Sequence, residues 1–179
     1  MLVLATLTGC SKTKDMLDKA MTLRADLLAC ESCTFDASIT ADYGDEIHTF
    51  GMHCGGDNDG NLEFTVTKPE SIAGIIGVIS AGEGKLTFDE QGVAFPLLAE
   101  GQITPISGPW ILVKTLMGGY LTACNEEDSL IHLMIHDSYE EDALDLEIWL
   151  DEESHPVQTE IGYKGRRILT MEIENFQIQ

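Results

Sequence analysis

Apolar residues recur every three or four positions between residues 15 and 30. Met16, Ala20, Leu23 and Leu27 would line one face of a helix. Asp15 and Asp18 stand near its start, where a negative charge suits the helix dipole. From Cys33 the period falls to two. Phe35, Ala37, Ile39 and Ala41 alternate with Asp36, Ser38 and Thr40, predicting a strand with one wet face. The turn Tyr43-Gly44-Asp45 leads to a strand over 47–54 with His48, Phe50, Met52 and Cys54 on one side. Residues 55–60, rich in Gly, Asp and Asn, mark a hairpin tip. Leu62, Phe64 and Val66 then alternate with Glu63, Thr65 and Thr67 until Lys68-Pro69-Glu70 breaks the strand. The run 72–79 is apolar and β-branched, which predicts a buried strand. Turns at 82–84 and 90–92 bound strands over 85–89 and 93–98.

Ser107-Gly108-Pro109-Trp110 has the form of a helix start, with proline at the first helical position. The helix is predicted over 110–121, weakened by Gly118-Gly119. Strands return at 130–136, 143–150, 156–164 and 166–176. In the second of these Leu144, Leu146, Ile148 and Leu150 face one way, and Asp145, Glu147 and Trp149 the other. The order is helix, about six strands, helix, about four strands. Short turns between successive strands imply antiparallel pairing. The fold class is therefore mostly β with a few helices. A strongly curved antiparallel sheet forms an incomplete β-barrel, and helices lie over its apolar concave face. The space between lid and sheet is the natural pocket.

Charge narrows the partners. The chain carries 31 acidic and 10 basic residues, a net charge of −21. Phosphate-rich partners are repelled, so no nucleic acid is expected. The acidity serves solubility, and so acidic a body also stands away from an anionic bilayer.

What could hold it at a membrane is the amino terminus. An apolar run ends in Leu7-Thr8-Gly9-Cys10, and polar Ser11-Lys12 follow at once. A thiol just beyond an apolar segment, preceded by small residues, suits lipid transfer and signal cleavage, and the pattern resembles the bacterial lipobox. Cys10 is thus the expected lipidation site, bearing diacylglycerol and acyl chains such as palmitate. Only nine residues precede it and none is basic, so the natural start is expected further upstream. The expected division is a signal-peptide remnant over 1–9, a lipidated tether over 10–14, and one domain over 15–179. No stretch has the ~18 consecutive apolar residues of a membrane helix.

The other four cysteines are Cys30, Cys33, Cys54 and Cys124. Outside the cytoplasm an even number allows disulfides, here in three pairings between which the sequence does not choose. Cys30-Glu31-Ser32-Cys33 is a CxxC. A redox cysteine gains thiolate character at a helix N-terminus, whereas here a helix ends on the motif, so structural thiols or a disulfide are the expectation. His132 and His136 would share a helix face but sit on a predicted strand, about 13 Å apart. Asp57-Asn58-Asp59-Gly60-Asn61 lacks the spacing of a calcium loop, so a hairpin turn is expected. The acidic clusters at 126–128, 140–142 and 151–153 are read as solvated loops. No nucleophile–base pair, phosphate loop or metal set appears. The expectations are no enzyme, no catalytic residues, no metal and no cofactor.

The segment from Gly60 to Gly74, with its strand followed by Lys68-Pro69, resembles the LolA/LolB-like lipoprotein-carrier superfamily. So do the hairpin from Gly84 to Gly92, Pro156 before a strand, and the ending Glu174-Asn175-Phe176. The resemblance spans roughly residues 15–178. It implies a half-barrel with helices over an apolar cavity. The function it implies is an anchored extracytoplasmic lipoprotein that binds a lipid or acyl chain, or serves an envelope or cell-wall protein as a non-enzymatic partner. Gram-positive members include lipoproteins of germination and cell-wall modification. Carriers of the superfamily latch their helices with an arginine on an early strand. The arginines here are Arg24, Arg166 and Arg167, none on an early strand, which speaks against shuttling.

Overall fold

The computed structural model describes residues 9–80, 83–88, 91–96, 98–99 and 102–179. The segment 1–8 lies outside the described residues, and Cys10 is described by its backbone alone.

Helix α1 (Gly9–Ala29) opens the chain. It starts six residues before the expected Asp15, so positions 10–14 are helical. Strands β1 (Ser32–Asp42), β2 (Ile47–Asp57) and β3 (Leu62–Lys68) follow, then a 3₁₀ turn (Glu70–Ile72) and β4 (Ile76–Ser80). Next come β5 (Glu83–Phe88), β6 (Gln91–Pro96) and a two-residue pair, β7 (Leu98–Ala99) with β8 (Gln102–Ile103). A second 3₁₀ turn (Pro105–Ser107) leads into helix α2 (Gly108–Gly118). The chain ends with β9 (Tyr120–Glu127), β10 (Leu130–His136), β11 (Leu144–Leu150), β12 (Pro156–Tyr163) and β13 (Arg166–Ile178).

Eleven strands form one antiparallel sheet in the order β6-β5-β4-β3-β2-β1-β13-β12-β11-β10-β9. Its edges, β6 and β9, do not pair with each other, so the sheet is open and curved rather than a closed barrel. The alternation seen in the sequence sets the register. On β1, Cys33, Phe35, Ala37, Ile39 and Ala41 are buried; on β11, Leu144, Leu146, Ile148 and Leu150. These face α1, which buries Met16, Ala20, Leu23 and Leu27, and α2, which buries Ile111, Leu112, Val113 and Leu116. Each fully buried Leu or Ile side chain contributes roughly 1.5–3 kcal/mol, so the covered face is the main source of stability.

Three expectations change. The buried strand over 72–79 is a 3₁₀ turn followed by five residues of strand, and Ile76 and Val78 remain 43% exposed. Only Gly77 and Ile79 of β4 face the core, because the sheet has one wet side and β-branched residues are accepted on either. The second helix stops at Gly118, and Tyr120–Glu127 is an unexpected strand. As an edge strand β9 buries little, so its sequence shows no clean alternation. On β13 the register slips between Thr34 and Asp36 of the partner strand, and Asn175 adopts φ 54°. This bulge lets Phe176 follow Ile173 into the core at a spacing of three.

Gly77 sits cross-strand from Phe64, whose ring lies where a Cβ would stand. The bare backbone makes room for the aromatic ring, which in turn covers the glycine. Replacing Gly77 by Val is expected to lower unfolding free energy by about 1–3 kcal/mol. Gly55→Ala, where a Cβ meets open space, is expected to stay within about 0.5 kcal/mol. Urea midpoints of the two variants check this, and equal effects would contradict the packing described.

Candidate functional site

The apolar face and its two-helix cover form the candidate site. Helix α2 is held at three points. At its start the Trp110 indole N–H donates to the Gly60 carbonyl at 2.8 Å, tying it to the β2–β3 hairpin, and Lys114 lies 4.9 Å over the indole ring. The Tyr43 hydroxyl donates to the Ile103 carbonyl at 2.9 Å and fixes the lead-in. At its end α2 is met by Arg24 of α1. Arg24 Nε donates to Leu116 O at 2.7 Å, and Nη2 donates to Gly119 O at 2.9 Å and to Thr115 O at 3.5 Å. The last carbonyls of a helix have no partners of their own and carry the negative end of its dipole, so a guanidinium there meets both needs. Burial lowers the Arg24 pKa below its ordinary value. The sequence offered no early-strand arginine; in the structure it is Arg24, on α1, that bonds the end of α2.

Beside this clasp lies a cleft lined by Ala20, Met21, Arg24, Leu116, Leu121, Leu133 and Ile135, with a volume of about 10 Å³. That is room for one water at most. Beside the clasp, leucine and isoleucine side chains from both layers line the gap between lid and sheet and leave it nearly closed. A larger groove of about 600 Å³ lies on the outer face across β2, β3 and β4. Its lining mixes His53, Asp57, Asn61 and Glu63 with Leu62, Phe64 and Val78.

Cys30, Cys33, Cys54 and Cys124 are free thiols. Cys30 Sγ lies 3.2 Å from Leu27 O at the end of α1. Cys33 and Cys54 sit on adjacent strands in diagonal register, since Cys33 pairs with Gly56 and Phe35 with Cys54. Four strands lie between Cys124 on β9 and Cys33 on β1. Burial pushes the Cys33 thiol up to about 11, and burial pushes Cys54 up as well. Thiols held protonated are poor nucleophiles, the opposite of a redox CxxC.

The outer-face histidines have partners of their own. His132 stacks on Trp149 with ring centroids 4.5 Å apart, and its side chain is only 5% exposed. Its Nδ1 lies 3.2 Å from a Glu127 oxygen and its Nε2 lies 2.9 Å from a Glu147 oxygen, the latter without hydrogen-bond geometry. His136 lies 2.8 Å from Asp145. The sequence placed His132 on a strand but gave no sign that Trp149 covers it. Among the described residues no three His, Cys, Asp or Glu side chains form a metal site. In the 57–61 loop, Asp57 accepts backbone N–H bonds from Asp59 and Asn61 at 3.0 and 2.9 Å, as the expected hairpin turn requires. Burial works against its charge, but bonds from Asn61, Asp59 and Gly60 outweigh it and hold the carboxyl low.

No family model matches the sequence, and no curated protein matches it. Solved structures do. One is a DUF1329 family protein from Desulfovibrio piger, with 8% identity, 93% of each chain covered and a TM-score of 0.50. Another is the LolA superfamily protein NE2245 from Nitrosomonas europaea, with 11% identity, 93% of each chain and a TM-score of 0.45. A third is the lipoprotein LppX from Mycobacterium tuberculosis, with 10% identity, 93% of this chain, 95% of that one and a TM-score of 0.43. The superfamily expected from the sequence is thus among the structural neighbours, and at these identities the likeness concerns the fold alone.

Two outcomes follow. Arg24→Met keeps the stem and removes the clasp, and is expected to cost about 1–3 kcal/mol in urea denaturation; no loss would show that the three contacts hold nothing. The second concerns pH. A thiol raised above its ordinary 9.0 keeps its proton in the folded state after the unfolded chain has lost it. Its contribution is complete below pH 9 and is lost as pH rises towards about 11. Stability should therefore fall less steeply across that window in Cys33→Ala than in the parent, and identical slopes would contradict the burial of Cys33.

Proposed function

We infer that the chain is a lipoprotein of the cell envelope, held outside the cytoplasm through a lipid on Cys10, that binds an apolar ligand such as a lipid or acyl chain. The ligand sits between the helices and the concave face of the sheet. The observation that carries this reading is the nature of the cover. The apolar face lies under two helices whose mutual hold is the polar Arg24 clasp, and the closed cleft beside that clasp is lined almost wholly by aliphatic side chains. Such a cover can part by exchanging hydrogen bonds for water while an acyl chain replaces the aliphatic contacts. No step of this needs a catalytic residue.

A second reading is a non-enzymatic partner for an envelope or cell-wall protein. The near-absence of space in the described cleft favours it, since a filled half-barrel still offers its surface.

Titration of the Cys10→Ser full chain with a fluorescent undecanoic acid probe separates the two. Saturable binding competed by palmitate is expected. Arg24→Met should bind at least about tenfold more tightly, because a closed state reduces apparent affinity by the fraction that is open. No saturable binding in either protein would overturn ligand binding and leave the partner reading. The anchor is tested separately: parent protein should enter the detergent phase on phase separation and carry diacylglycerol mass on its N-terminal peptide, and Cys10→Ser should do neither.

A further inference from the structure

Helix α1 leaves three large apolar side chains in water: Leu17, Met21 and Leu28 are 39%, 47% and 52% exposed. At 3.6 residues per turn these positions fall within about 40° of one another, roughly 110° round the helix from the buried face of Met16, Ala20, Leu23 and Leu27. Position 10 stands one heptad before Leu17, hence on the same line of the helix. The same element carries Lys12, Lys14, Lys19 and Arg24 against Asp15, Asp18 and Asp26 in a chain of net charge −21; Lys12 pairs with Glu126 of β9 and Arg24 is held by the α2 carbonyls. Met21 also belongs to the lining of the cleft beside the Arg24 clasp, so the exposed stripe runs into the candidate site.

We propose that this flank of α1 lies on the membrane surface, with Leu17, Met21 and Leu28 in the boundary between headgroups and acyl chains. The proposal rests on the anchoring at Cys10 inferred above. Helix α1 is continuous from Gly9, so the anchored residue and the stripe move as one body. An upright helix would lift Leu28 about 27 Å from residue 10 at 1.5 Å per residue, whereas a recumbent one brings the whole stripe to the bilayer. Lys14 stands beside the stripe on the helix and can meet anionic headgroups there, while the acidic body is repelled. Docked in this way, the protein presents Met21 and the clasp to the lipids, and an acyl chain passes from bilayer to cleft without crossing water.

The test uses a tether independent of acylation: the full chain with Cys10→Ser, bound through an N-terminal hexahistidine tag to nickel-chelating lipid in vesicles of phosphatidylglycerol and phosphatidylcholine. Tryptophan is placed at Leu17, at Met21 or, as a control on the opposite side of α1, at Asp26. Lipids brominated along their acyl chains quench only what reaches them. Leu17→Trp and Met21→Trp fluorescence is expected to fall by about half, with the added signal of Asp26→Trp unchanged. Equal quenching at all three positions, or none at any, overturns the proposal. Because the tag replaces the lipid, a protein that proves unacylated at Cys10 refutes the anchor without deciding this result.

Discussion

The apolar face of the sheet has two helices to cover it, and the guanidinium of Arg24 joins those helices to each other. Its bonds to Leu116 O and Gly119 O close the end of α2 that would otherwise present bare carbonyls to an aliphatic layer. The opposite end is held by Trp110 on the β2–β3 hairpin. Between these two fastenings Ile111, Leu112, Val113 and Leu116 are pressed onto the sheet. Unpaired, the last turn of α2 and the cleft beside it would be the first part of the cover to open.

The same arrangement divides the molecule by chemistry. The inner face is aliphatic, with free, protonated thiols at Cys33 and Cys54 that behave as small apolar groups. The outer face is polar and its groups meet one another: His132 lies between Glu127 and Glu147 under Trp149, with its Nε2 left without a hydrogen bond, and Asp36 accepts from Asn175 and contacts His53. Hydrogen bonds from Asn175 and then His53 keep the Asp36 carboxyl below its ordinary value. Polar groups of the outer face are engaged with neighbouring side chains, and the aliphatic inner face lies under the two helices.

Much of this was legible from periodicity. The alternation in β1 and β11 and the helical spacing of Met16, Ala20, Leu23 and Leu27 placed core residues correctly, because burial on one face imposes those periods directly. Edge strand β9 was missed because an edge buries too little to impose a pattern, and the span 72–79 was overread because β-branched residues on a wet face look like buried ones. The candidate site was only half legible. Its aliphatic lining follows from the core pattern, but Arg24 meets α2 across 92 residues of sequence, a contact that local spacing does not encode. An arginine near the end of an amphipathic helix looks like a solvated charge until the second helix is in place.

The central claim is that the covered face receives an apolar ligand when the clasp gives way. The most direct measurement is native mass spectrometry of the protein drawn from its own membrane in mild detergent. The account predicts a population carrying a non-covalent lipid, enlarged in Arg24→Met and released on unfolding. Both proteins emerging free of any such mass would contradict it and leave the sheet and helices as a filled scaffold.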